Sequence, residues 1–177
     1  MKKLLNKKAF AIVLALVMVF AMASVSFAAE QTVGTNGTVH VNIYVQEVDR
    51  MGSSPVQTVL TTAPIQVTIQ SGQSVKDAVN AAVADTTNLL STAEWSGNFL
   101  KSATYDGVNY VNEDSYSYDE ATHENVYDGL SWMYFVNTPN NMPQSTNDYP
   151  TVSMGEKLLT ADASVTLSFE ALEYRWK

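Results

Sequence analysis

From Val39 the chain alternates. Val39, Val41, Ile43 and Val45 are apolar, while His40, Asn42, Tyr44 and Gln46 point the other way, the period-two pattern of a strand buried on one face. Met51 to Pro55 carries Gly-Ser-Ser-Pro and reads as a turn or loop. A second alternating run follows, with Ile65, Val67 and Ile69 inward and Gln66, Thr68 and Gln70 outward. The period then lengthens. Val75, Ala78, Val79, Ala82 and Val83 recur at the spacing of an amphipathic helix, with Ser74 as its N-cap and Asp77 placed to favour its N-terminus. Leu89 to Phe99 is less regular. Phe99 to Tyr105 predicts a third strand ended by Asp106-Gly107, and residues 106 to 130 are a long acidic stretch rich in tyrosine. Ser131 to Asn137 (SWMYFVN) is strongly β-prone. Thr138 to Pro150, with three prolines and four Asn or Asp residues, reads as a loop. In the last run Val165, Leu167, Phe169 and Ala171 face in, and Ser164, Thr166, Ser168 and Glu170 face out.

Two strands, a helix and about three further strands predict an α+β domain over residues 39–177. A mixed or antiparallel sheet carries the one main helix on one face, with long loop insertions at 106–128 and 138–150. The order fits a β-grasp.

The segment ahead of this domain has a different character. Lys2, Lys3, Lys7 and Lys8 precede an apolar run from Ala9 to Ala23, and Ser26-Phe27-Ala28 offers small residues where a signal peptidase reads. Residues 1–28 therefore read as a signal peptide cleaved between Ala28 and Ala29, and residues 29–38 as a flexible lead-in. The run is shorter than the ~18 to 20 residues of a membrane span. Cleavage removes four of the ten Lys and Arg but none of the 18 acids, leaving six against 18 and a formal charge of −12, where the whole chain carries −8. That balance argues against nucleic acid as a partner, which needs cationic neutralisation. There is no cysteine, so thiol catalysis, cysteine-ligated metal and a lipidated cysteine are excluded. No apolar tail or sorting motif marks a C-terminal anchor. The expected location is extracellular, released from a bacterial cell with no transmembrane segment after cleavage.

Several segments resemble the transcobalamin-like C-terminal domain family, secreted β-grasp domains whose bacterial members have no assigned function. S-G-Q-S-V-K-D-A-V-N-A-A at 71–82 is similar to that family's entry into its helix, and W-S-G-N-F-L-K-S-A-T-Y-D-G at 95–107 to its third-strand region. G-L-S-W-M-Y-F-V-N at 129–137 looks like its Gly-x-x-Trp-x-Tyr-x-Val-Asn strand, and Val152 to Glu170 like its closing segment. The resemblance covers about residues 60–172 and implies a β-grasp fold that binds a small molecule, a glycan or a surface protein. In animal carriers this domain closes over a cobalamin held mainly by a separate helical domain. This chain has no such domain, so cobalamin binding does not carry over.

Catalytic chemistry finds little footing. His40 and His123 are the only histidines, and there is no nucleophile elbow, P-loop, dinucleotide fingerprint or H-E-x-x-H. A binding module is expected, not an enzyme. On a strand Trp132, Tyr134 and Val136 share one face, and Met133 and Phe135 the other. Trp132 and Tyr134, with Tyr116, Tyr118 and Tyr149 from the tyrosine-rich stretches, are the candidate ligand contacts, because exposed aromatics mark contact sites. Seven carboxylates fall between Asp106 and Asp128. Asp114, Asp119 and Glu120 are candidate Ca²⁺ ligands, although the spacing is not that of an EF-hand loop. The alternative function is structural, an assembly protein of the cell surface that self-associates by strand addition.

Overall fold

A computed structural model describes residues 37–51, 54–138 and 150–177. The proposed signal peptide and its cleavage site lie outside these residues, as does nearly all of the 138–150 loop, including Tyr149. No helix among the described residues is long and apolar enough to cross a membrane.

The architecture is mostly sheet, an α+β fold with one helix. Strand β1 (Thr38–Asp49) is central to the main sheet. Along one edge it pairs antiparallel with β3 (Ile65–Gln70) through its first half and with the short β2 (Val56–Val59) through its second. Along the other edge it runs parallel to the final strand β9 (Ala163–Trp176). β9 pairs antiparallel with β8 (Glu124–Val136), and β8 with the edge strand β7 (Glu113–Asp119). A second sheet of three strands joins β4 (Leu90–Ser96), β5 (Phe99–Tyr105) and β6 (Val108–Val111).

The helix α1 (Val75–Ala84) buries Val75, Ala78, Val79 and Ala82. Its N-terminus carries a full capping box: Ser74 Oγ accepts from Asp77 N (3.2 Å), and Asp77 Oδ2 accepts from Ser74 N (2.8 Å). The apolar stripe joins Val39, Val41, Ile43 and Val45 of β1, Val165 and Leu167 of β9, and Trp132 and Tyr134 of β8 in one core.

Two expectations need correction. The stretch 106–128 is not a loop insertion. It folds as β6, β7 and the first part of β8, because Tyr-Ser alternation at 115–118 suits a pleated strand as well as aliphatic alternation does. The strand over Phe99–Tyr105 does end at Asp106-Gly107, a hairpin turn in which both residues have positive φ (48° and 78°) and which leads straight into β6. Thr166, Ser168 and Glu170, read as outward, are buried on the face away from α1. There Gln46 Nε2 donates to Ser168 Oγ (3.1 Å) and Ser168 Oγ to Glu170 Oε1 (2.8 Å), while Arg50 binds the Glu170 carboxylate through Nε (2.5 Å) and Nη2 (3.2 Å). This chain of partners is what makes polar burial tolerable.

Candidate functional site

Beyond residue 171 β9 loses β1 as a neighbour, since the β1–β9 register ends at Asp49 opposite Ala171. The far ends of β7, β8 and β9 therefore form a three-stranded wing. Its register sets three rows on the face away from α1: Asp114, Gly129 and Leu172; Tyr116, Tyr127 and Tyr174; Tyr118, Asn125 and Trp176. Five of these nine positions are aromatic, and none is Lys or Arg. Tyr116 (72 % exposed), Tyr118 (55 %), Tyr174 (59 %) and Trp176 (45 %) are open to solvent.

The central ring orders this surface. Tyr127 lies between its cross-strand neighbours, with ring centroids 5.1 Å from Tyr116 and 6.0 Å from Tyr174, the latter pair stacked at 30°. Its hydroxyl donates to Asp114 Oδ1 (2.6 Å). The distal end of the ring occupies the space where a Cβ would stand on Gly129, so the ring reaches along the strand over the glycine. Tyr118 is tied to the β7–β8 turn, where its hydroxyl lies 3.3 Å from His123 Nδ1, and His123 has φ 58°.

Trp132 and Tyr134 are elsewhere. Both are core residues, 6 % and 4 % exposed. Trp132 Nε1 donates to Tyr110 O (3.1 Å), and its ring packs on Phe169 and Tyr110 at 5.2 and 5.9 Å. The Tyr134 hydroxyl donates to Val152 O (2.6 Å). With Phe99, Pro150 and Met154 they line a cleft of about 120 Å³, well below the ~300 Å³ at which small-molecule sites begin. Of the candidate contacts only Tyr116 and Tyr118 share a surface; Tyr149 is outside the described residues. Tyr127, Tyr174, Trp176 and Gly129 are the residues missed. One signal for them was present: the outward phase of the last strand turns from polar at Ser164 through Glu170 to Leu172, Tyr174 and Trp176.

The candidate calcium ligands are not brought together. Asp114 holds the Tyr127 hydroxyl at one end of β7. Asp119, at the other end, accepts from Ala121 N and Thr122 N through Oδ1 and from Arg175 through Oδ2 (3.0 Å). Glu120 is exposed in the turn that follows. Among the described residues no three His, Asp or Glu side chains form a metal-binding group. On the α1 side of the wing a cavity of about 290 Å³ is lined by Met51, Glu113, Asp128 and Leu130 among others. Asp128 Oδ1, behind this lining, is buried without a hydrogen-bond partner.

Two phenols have pKa values pushed up to about 12. Tyr134 is raised by burial and then by the Glu156 carboxylate, and Tyr127 first by its hydrogen bond to Asp114 and then by burial. The folded state therefore prefers the neutral phenol more than the unfolded state does. The stability from this preference is fully present below pH about 10 and is lost as pH rises through about 12. Alkaline titration followed by tyrosinate absorbance should show two late steps, one removed by Tyr127→Phe and one by Tyr134→Phe. Loss of neither step would contradict these environments.

No protein-family model matches the chain, and no curated protein or solved structure matches it.

Proposed function

We propose that the chain is an exported, non-catalytic binding module whose contact surface is the aromatic face of the β7–β8–β9 wing. The observation that carries this reading is the row of rings Tyr116, Tyr127 and Tyr174 across three neighbouring strands, the outer two exposed and the central one half-buried and held in place by Gly129 and Asp114. Exposed apolar area of this kind is costly in a soluble domain unless something docks on it. Tyrosine offers large contact area at a low ordering cost. Export rests on the signal-peptide pattern of residues 1–28. The β-grasp reading, and with it the transcobalamin-like resemblance, is supported by the central parallel pair β1–β9 flanked by β3 on one side and β8 on the other, with α1 following β3.

Assembly by strand addition is the weaker reading. Antiparallel self-pairing of β7 centred on Tyr116 would place Glu113 opposite Asp119 and disfavour itself by like-charge repulsion. The protein is expected to elute as a monomer in size-exclusion chromatography.

The binding test uses Gly129→Ala. The added methyl group overlaps the hydroxyl end of Tyr127, so the ring must swing away and release Asp114. Gly129 is buried beneath the ring, so stability should fall by about 0.5–3 kcal/mol, and binding is compared on the folded fraction. Co-sedimentation with envelope material of the host cell should weaken about tenfold or more, and equally in Tyr174→Ala. Unchanged binding in both variants would overturn the assignment of the surface.

A further inference from the structure

We infer that the occupant of the aromatic face is an uncharged polysaccharide chain, laid across the strands along Tyr116, Tyr127 and Tyr174. The inference rests on the proposed contact surface and names its ligand class. Charge is the first argument. The face has no cation, and its one carboxylate, Asp114, is already occupied by the Tyr127 hydroxyl. The nearby Arg175 lies on the opposite face, tied to Asp119 and Glu173. An anionic polymer would find no counter-charge on a strongly acidic protein, and a cationic one would find no free carboxylate on the face itself.

Size is the second argument. The grid measures about 10 Å by about 13 Å between corner Cα atoms, from strand spacing and rise per residue. That is far below the ~800 Å² per partner of a standard protein interface, yet long enough for a few sugar rings in series.

Shape is the third. Tyr127 reaches over Gly129, and its neighbours follow at 5.1 Å (Tyr116, tilted at 56°) and 6.0 Å (Tyr174, at 30°), close to the strand spacing. A pyranose ring has an apolar face of C–H groups and a rim of hydroxyls. Its face can rest on an aromatic ring while its rim meets phenol hydroxyls and the Asn125 amide. The pre-ordering of Tyr127 lowers the entropic cost of forming this contact.

The test is native gel electrophoresis of the whole protein through gels containing hydroxyethylcellulose, galactomannan or soluble β-1,3-glucan, and through carboxymethylcellulose as the charged counterpart. At least one neutral polymer should retard migration, carboxymethylcellulose should retard it less than its neutral counterpart, and Tyr174→Ala should weaken retardation about tenfold. No retardation by any neutral polymer, or equal retardation of Tyr174→Ala, would overturn the inference. A parallel assay separates this failure from failure of the contact surface. If envelope binding survives periodate treatment of the envelope but not protease, and Tyr174→Ala still abolishes it, the surface docks a protein and the glycan inference fails alone. If Tyr174→Ala and Gly129→Ala leave envelope binding intact, both fail.

Discussion

Trp132→Ala should lower the folding free energy by about 3–5 kcal/mol, the usual cost of truncating a large buried aromatic. The indole fills the space between Tyr110 and Phe169, and its N–H satisfies the Tyr110 carbonyl. Alanine removes both, leaving a void and a half-buried carbonyl without its donor. For a chain of this length the melting temperature should fall by roughly 6–20 °C. Trp132→Phe keeps most of the volume and loses only the donor, so it should cost about 1–3 kcal/mol. Thermal unfolding followed by circular dichroism measures both. Ligand affinity of the folded fraction should be unchanged in either variant. A Trp132→Ala protein of normal stability that no longer binds would move the contact surface back to this strand.

The second large effect is expected at Glu170, whose side chain is fully buried and accepts from Arg50 and Ser168. Glu170→Gln keeps the shape and removes the charge. Breaking a buried pair from one side costs about 3–5 kcal/mol, and the lower end applies because Arg50 retains 16 % exposure. Replacing both partners with apolar residues, Glu170→Leu with Arg50→Met, should restore most of the loss, since the cost lies in the lone charge rather than in the missing bond. Urea unfolding of Glu170→Leu, Arg50→Met and the double variant gives the coupling energy directly. A change below about 0.5 kcal/mol in Glu170→Gln, typical of an exposed site, would contradict the buried pair.

The elements legible in the sequence are those whose aliphatic side chains fall on one face at a regular period. β1, β3 and β9 alternate because α1 covers one face of their sheet, and α1 itself shows the matching helical stripe. β4 was not legible because its register shifts twice, near Leu90 and near Trp95, and only Leu90 is buried, so no single phase runs through it. β2 is four residues long, with no buried side chain. β7 hides for another reason. Glu113 to Asp119 has no aliphatic residue, and every side chain but Asp119 is exposed, so hydropathy carries no period there. The composition of the aromatic face was half visible, in Tyr116 and Tyr118. Its arrangement was not, because the row that orders it joins residues 116, 127 and 174, and only the β7–β8 and β8–β9 registers place them side by side. Conversely, the Trp132 strand drew attention by composition alone. Large aromatics on a central strand are most often core, and Trp132 and Tyr134 are.

Hydroxyl-radical footprinting of the protein, free and bound to envelope material, tests the aromatic face most directly. Tyr116, Tyr118, Tyr174 and Trp176 should be oxidised readily in the free protein and protected together on binding, while Phe99 and Val56, equally open but on other strands, should react alike in both states. Protection centred on Phe99 or Val56, with the four wing residues unchanged, would contradict the account.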